Sequence, residues 1–282
     1  MALAHTATTQ LKHLFSGLPR PVRLFVLTGA GCSTPSGIPD YRDTDGNWKR
    51  SPPMHLPEFL SSEHARQRYW ARSMAGWRSF HAAQPNGVHV SIARLEASGH
   101  CKTLVTQNVD GLHQRAGSQE VIDLHGRLDQ VLCLDCGHRM AREQVQEALV
   151  EYNPDWHYAV SQIAPDGDVD LEQVDYAHFK VPGCTRCRGR LKPDVVFFGE
   201  NVPKLRVERA LKALEAAHAL LVVGSSLMVY SGFRYARAAA AAAQPVIIIN
   251  RGQTRADDLA NLKLNMDASD ALDALHEALT QA

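Results

Sequence analysis

The chain has 282 residues, 45% apolar and 21% charged, which suits a globular protein with one large domain or one domain carrying a smaller one. Lysine plus arginine equals aspartate plus glutamate at 30 each, so no net basic footprint points to nucleic acid. No apolar stretch approaches the roughly 20 residues that span a bilayer, and the longest, Ala219–Val223 and Val246–Ile249, have the length of buried strands.

No acidic residue precedes Asp40. Few arginines and no secretory apolar region accompany that start, so the expectation is a short frayed terminus leading into a helix over Leu11–Leu18. An apolar run, Val22–Leu27, reads as a strand, and Gly29-Ala30-Gly31 follows it as a phosphate-binding turn would. The third glycine of a dinucleotide fingerprint is missing, and Pro35 and Pro39 block a helix. Ser36–Arg42 is therefore expected to be an extended loop able to fold over a ligand, a cofactor site with a lid.

Residues 50–85 are polar, carry Pro52, Pro53 and Pro57, and then turn helical. Helical spacing over Val88–Ala97 stops at Gly99, and Thr103–Thr106 and Val121–Leu124 read as strands. Val195–Phe198 is read as a further strand, followed by helix Lys204–Ala217, strand Ala219–Val223, an alanine-rich helix around Phe233–Ala243 and strand Val246–Ile249. Apolar strands separated by helices predict an α/β fold, a Rossmann-like doubly wound parallel sheet. The expected large domain comprises 11–49, 86–130 and 193–282. A smaller module is expected from two insertions, 50–85 and 131–192, with a loop-rich excursion over Asn153–Lys180.

The cysteines give the sharpest local signal. Cys133 and Cys136 form one CxxC pair, and Cys184 and Cys187 another. Two thiolates on each tight knuckle suit a tetrahedral Zn²⁺ with sulfurs at about 2.3 Å. The alternative is two redox-active pairs, but two thioredoxin-like motifs in one chain would be odd. A four-cysteine site has no open position, so the metal would hold structure. Cys32 and Cys101, beside predicted strands, are expected to be inert buried thiols.

In an open parallel sheet, ligands collect at the carboxyl ends of the strands. Those ends carry Thr28-Gly29-Ala30-Gly31, Thr106-Gln107-Asn108-Val109-Asp110-Gly111, His125-Gly126, Gly224-Ser225-Ser226 and Asn250-Arg251-Gly252. Taken singly, each could be a helix cap or a turn. Taken together, small and hydrogen-bonding residues converge where a dinucleotide would lie.

Together, TGAGCSTPSGIPDYR, TQNVDGLHQRAG, LHG, the two CxxC pairs, LKPDVVFFGE, GSSLMVYSG and INRG resemble the sirtuins, NAD⁺-dependent protein-lysine deacylases, over about Val22–Ala268. RQRYWARSMAGW, APDGDV and the long gap between the pairs are similar to the class II branch, with bacterial and mitochondrial members. The resemblance implies a Rossmann domain with a zinc-binding small domain. It also implies NAD consumed as co-substrate, one structural Zn²⁺, an acyl-lysine protein or peptide as partner, and neither nucleic acid nor membrane. A monomer is expected, cytoplasmic in a bacterium or in the mitochondrial matrix of a eukaryote.

Carried onto matching positions, the resemblance puts Gly29, Ala30, Gly31 and Ser33 at the pyrophosphate and ribose, and Pro39, Asp40, Tyr41 and Arg42 in the cofactor loop. Gln107, Asn108, Val109 and Asp110 would line the ribose and nicotinamide pocket, with Asn108 and Asp110 counted with the catalytic residues. Gly224, Ser225 and Ser226 would contact phosphate or ribose, and Asn250, Arg251, Gly252 and Ala268 would lie at the adenosine end. Val195, Val196, Phe197, Phe198 and Gly199 would pair with the substrate peptide. His125 would be the general base on a ribose hydroxyl after nicotinamide leaves, its ordinary pKa of about 6.5 suiting the task.

Tyr69 and Arg72 share the Tyr-x-x-Arg spacing with which desuccinylating members of the family grip an acidic acyl chain, Arg being able to clamp a carboxylate. The competing reading packs Tyr69 in an amphipathic helix and leaves Arg72 in solvent. Acetyl, lipoyl, biotinyl and methylglutaryl-type groups, and mono-ADP-ribosyl transfer, all remain open. Outside the family, an NAD-dependent oxidoreductase and a non-catalytic zinc scaffold or NAD sensor are the rivals.

Overall fold

The computed structural model describes residues 2–49, 52–156, 163–169, 171 and 174–280. The excursion read at 153–180 therefore lies partly outside the described residues, at 157–162, 170, 172 and 173. In chain order the elements are α1 (Ala2–Phe15), β1 (Leu24–Thr28), α2 (Leu56–Ser61), α3 (Glu63–Ala82), α4 (Gly87–Ala97), β2 (Cys101–Thr106), α5 (Leu112–Arg115) and β3 (Val121–Asp123). There follow β4 (Gly126–Cys133), β5 (Arg139–Ala141), α6 (Arg142–Tyr152), β6 (Leu191–Val195), α7 (Lys204–Glu215), β7 (Ala219–Val223), α8 (Tyr230–Ala241), β8 (Val246–Ile249), β9 (Leu262–Leu264) and α9 (Ala268–Thr280).

Six strands form one parallel sheet in the order β3-β2-β1-β7-β8-β9. All five residues of β1 are buried, because helices cover both faces. Leu24 and Val26 pack with Leu11, Phe15, Ile92 and Leu275 of α1, α4 and α9 on one side. Phe25 and Leu27 pack with Leu214 and Tyr235 of α7 and α8 on the other. That alternation explains why the strand reads as one apolar run.

Three antiparallel strands, β5-β4-β6, make a second sheet. Its core joins Trp70, Met74 and Trp77 of α3 to Val131 and Leu191, with Phe179 from the excursion. Ser62 starts α3 by accepting a hydrogen bond from Ala65 N at 3.1 Å, and Trp70 Nε1 donates to Leu191 O at 3.2 Å. Strands β4 and β6 run across residues 130 and 193.

The strand expected at Val195–Phe198 is displaced. The extended pairing is Leu191–Val195, and it belongs to the small antiparallel sheet. Pro193 can sit there because β6 is an edge strand, where a missing N–H costs no ladder bond. The first helix also begins nine residues earlier than Leu11.

The two sheets are joined through Leu124 and His125. Leu124 N donates to Thr106 O, and Val196 N donates to His125 O at 2.7 Å. Gly126 then enters β4 with a left-handed φ of 82°, where a Cβ would clash with Asp194 O.

Candidate active site

A cavity of about 820 Å³ runs along the carboxyl ends of the parallel strands and reaches the small sheet. Gly29, Ala30, Gly31 and Ser33 line it, as do Gln107 to Asp110, His125, Gly224 to Ser226, Asn250, Arg251 and Ala268. Asp40, Tyr41, Arg42 and Tyr69 line it too, with Val195 to Gly199 along one wall. Pro39, Gly252 and Arg72 do not.

Gly29 and Gly31 are shaped by this chain's own backbone. A Cβ on Gly29 would come within 2.7 Å of Ser225 Cβ and 2.8 Å of Gly224 O, and one on Gly31 within 2.9 Å of Gly224 O. Gly29 N and Gly31 N donate to Val223 O and Gly224 O. The turn after β1 is thus pressed onto the turn after β7. Beyond it the chain makes two 3₁₀ turns, Ala30–Cys32 and Thr34–Ser36, before the loop opens.

Below this turn lies a buried polar network. Ser33 Oγ donates to Asp110 Oδ2 at 2.6 Å, and Asn108 Nδ2 donates to Gly29 O at 3.0 Å and to Ser33 Oγ at 3.1 Å. Thr28 Oγ1 donates to Thr106 Oγ1 and lies 2.9 Å from His113 Nε2, so that nitrogen carries the proton. Burial, and then His89, hold the His113 pKa well below its usual value, keeping the ring neutral. Asp110 is the carboxylate of this network.

His125 uses both ring nitrogens. Nδ1 lies 2.9 Å from Gln107 O, and a carbonyl can only accept, so Nδ1 carries the proton. Nε2 then holds the lone pair, which receives the Ser231 hydroxyl at 2.8 Å. Burial pushes the ring's pKa down to about 4 against the Gln107 bond, with Arg206 and Arg234 adding to the decrease. The imidazole is therefore neutral at pH 7.

The loop after the 3₁₀ turns folds back as a short hairpin. Arg42 bridges Trp48, stacks its guanidinium 4.1 Å from that ring, and donates to Gly46 O at 2.7 Å. Asp43 caps the turn by accepting from Asp45 N and Asn47 N, and Asp40 pairs with Lys49. One end of the hairpin meets Phe198 through Tyr41 and Trp48, at 6.1 and 5.6 Å between ring centres. Gln253 N donates to Thr44 O at 2.8 Å, and Gly252, whose Cβ would clash with Thr44, allows that approach.

Tyr69 and Arg72 separate despite sharing a helix. Tyr69 is 6% exposed, packed between Phe59 and Phe197. Arg72 does not stand in solvent as the competing reading had it. Its Nε donates to Val169 O at 2.7 Å and to Asp168 Oδ1 at 3.0 Å, while Nη2 pairs with Asp168 Oδ2 at 2.8 Å. A smaller cavity of about 300 Å³ lies beside these groups and shares Tyr41, Met54, Asp166 and Asp168 with the main one.

Ser231, Asp166 and Asp168 belong to the site and were not singled out from the sequence. Ser231 lies in the first turn of α8, five residues after Gly224-Ser225-Ser226, the one available signal. The acids lie in APDGDV within the gap between the cysteine pairs, which gives no hint of where that gap folds.

The sulfurs of Cys133, Cys136, Cys184 and Cys187 all lie within 4.8 Å of one another. Cys133 and Cys187 are 3.5 Å apart and Cys136 and Cys184 3.8 Å, close to the roughly 3.8 Å expected for four sulfurs at about 2.3 Å from a tetrahedral ion. The donor set can therefore hold one structural metal ion. Cys32 and Cys101 are buried, and burial raises both thiols to about 12, too high to react. Among the described residues no helix is long and apolar enough to cross a membrane.

Residues 29–231 match the Sir2 family. A Bradyrhizobium diazoefficiens protein named NAD-dependent protein deacetylase 2 is 57% identical over 253 residues, 90% of this chain and 93% of its own length. A Xanthomonas axonopodis pv. citri protein named NAD-dependent protein deacetylase is 57% identical over 92% of this chain and 88% of its own. A solved structure described as Sir2 with p53 peptide and NAD⁺ is 32% identical, with a TM-score of 0.74 over 96% of this chain and 97% of that one. Carrying the glycine turn, His125 and the four-cysteine cluster in one arrangement, the chain belongs to the Sir2 family.

Proposed function

We propose that this protein is an NAD⁺-dependent protein-lysine deacylase that yields free lysine, nicotinamide and an O-acyl-ADP-ribose. The observation carrying this is the placement of His125. Its neutral ring lines the cavity, while its carbonyl is hydrogen-bonded to Val196 in the segment proposed to bind the peptide. The base and the acyl-lysine are thereby held at a fixed separation.

When bound, NAD⁺ supplies the ribose carbon to which the acyl oxygen adds as nicotinamide departs. The chain's residues do the rest. The turn at Gly29–Gly31 and the Gly224–Ser226 turn hold the phosphates and ribose, and Asn250, Arg251 and Ala268 the adenosine. Ser33, Asn108 and Asp110 shape the nicotinamide end. Val195–Gly199 offers backbone to the peptide, and the hairpin at Arg42–Trp48 excludes water from the reacting ribose. His125 Nε2 is the final acceptor of the proton that leaves the ribose hydroxyl. The four cysteines would hold Zn²⁺, which stabilises the small sheet and enters no step.

If the acyl chain enters the smaller cavity, both arginines lining it already hold a carboxylate, Arg72 that of Asp168 and Arg68 that of Glu58. That favours uncharged acyl groups over succinyl or glutaryl. The reading includes the class II branch, a cytoplasmic location in keeping with the bacterial relatives, and a monomer, which light scattering tests.

The test incubates the protein with NAD⁺ and peptides carrying acetyl, lipoyl, biotinyl, methylglutaryl or succinyl lysine. Expected are nicotinamide and free-lysine peptide in equal amounts, with no change in absorbance at 340 nm. ADP-ribose fixed to protein without deacylation would instead establish a mono-ADP-ribosyltransferase. Absence of nicotinamide release would reject both.

A further inference from the structure

We infer that Ser231 is a proton relay standing between His125 and the ribose hydroxyl, an assignment that rests on the deacylase reading. Gln107 O holds His125 Nδ1–H, so the ring meets the cavity only through the Nε2 lone pair. That lone pair is already filled by the Ser231 hydroxyl at 2.8 Å. A ribose hydroxyl thus cannot reach Nε2 directly while this bond stands.

The serine is built into place. It lies in the first turn of α8, is 9% exposed and lines the cavity. The next residue, Gly232, has no Cβ to clash with the Gln107 side chain, so α8 packs directly on the residue that orients His125. Gln107 is itself pinned, its Nε2 donating to Ser225 Oγ at 2.8 Å and Thr28 O at 3.2 Å. Having donated its proton to Nε2, Ser231 Oγ keeps lone pairs for an incoming donor.

The step balances. The ribose hydroxyl passes its proton to Ser231 Oγ as Ser231 passes its own to His125 Nε2. The electron pair left on the ribose oxygen forms the new bond to the acyl carbon as the π pair of that carbon's double bond to the lysine nitrogen moves onto nitrogen. Serine ends neutral, and imidazolium carries the proton until the leaving lysine nitrogen takes it up.

Nicotinamide exchange with labelled nicotinamide precedes proton removal, whereas deacylation requires it, so the two separate the steps. Single-turnover deacylation by Ser231→Ala should fall about 100-fold, within the usual range for general acid–base groups, with exchange held within about twofold. Rate plotted against deuterium content should be curved in the wild type, two protons moving together, and linear in Ser231→Ala. Ser231→Thr, which keeps the hydroxyl, should deacylate within about threefold of wild type. Unchanged or faster deacylation in Ser231→Ala would overturn the relay, as would equal losses in exchange and deacylation. A wild type that releases no nicotinamide fails at an earlier point, sinking the deacylase reading and the relay with it.

Discussion

Burying His125 neutral has a cost that acid should reveal. The ring's pKa falls from 6.5 to about 4 on folding, through burial first, opposed by the Gln107 bond and reinforced by Arg206 and Arg234. Above pH 6.5 both the folded and unfolded rings are neutral, and the site costs nothing extra. As pH drops through 6.5 the unfolded ring takes a proton that the folded ring refuses until about 4, so stability is lost across that window. The full drop is worth about 3 kcal/mol, of which about 2 kcal/mol is gone by pH 5. Substituting His125→Asn removes the titrating ring and keeps an amide that can bond Gln107 O. Urea unfolding of both proteins at pH 8 and pH 5 should show the wild type losing about 2 kcal/mol more than the variant. Parallel losses would mean that the ring is protonated in the folded state or reached by water, and the neutral-base argument would be wrong.

Three further outcomes follow from the site. Cys184→Ser should abolish the one-to-one zinc content measured by plasma emission and lower activity with it; full activity without metal would contradict a structural role. Gly29→Ala would push a Cβ to within 2.7 Å of Ser225 Cβ, so overpacking should lower stability by about 1–3 kcal/mol and raise the KM for NAD⁺, an unchanged melting temperature arguing against it. Asp168→Asn should loosen Arg72 and raise turnover of succinyl relative to acetyl peptide; an unaltered ratio would show that Arg72 does not reach the acyl group.

Much of the large sheet was legible because parallel strands covered on both faces must be nearly continuously apolar, as Leu24–Leu27, Ala219–Val223 and Val246–Ile249 are. The cysteine pairs were legible because metal chemistry restricts residue type and spacing, whereas His125 stood out only at a strand end and through the family resemblance. Less regular parts escaped. Leu191–Val195 contains Lys192, Pro193 and Asp194, tolerated only because the strand lies at an edge, so the apolar Val195–Phe198 was the more obvious strand. In β9, three residues carry too little pattern to read. The Arg72–Asp168 pair joins positions 96 residues apart through a chain excursion, and local spacing cannot report such a contact. Gly29 and Gly31 were noted for the ligand they would approach, although the structure shows that Gly224 and Ser225 already occupy their flank.

The hairpin at Arg42–Trp48 touches the two proposed substrate regions at opposite ends, through Phe198 on the side proposed for the peptide and through Thr44 and Gln253 on the side proposed for adenosine. Two ligands that order the same short segment share its entropic cost, so whichever arrives first lightens the burden on the second. Thermodynamic linkage makes that help mutual: the factor by which peptide tightens NAD⁺ must equal the factor by which NAD⁺ tightens peptide. Calorimetry on the His125→Asn protein, in which turnover is blocked, measures both factors. Phe198→Ala, which uncouples one end of the hairpin, should bring both toward unity together.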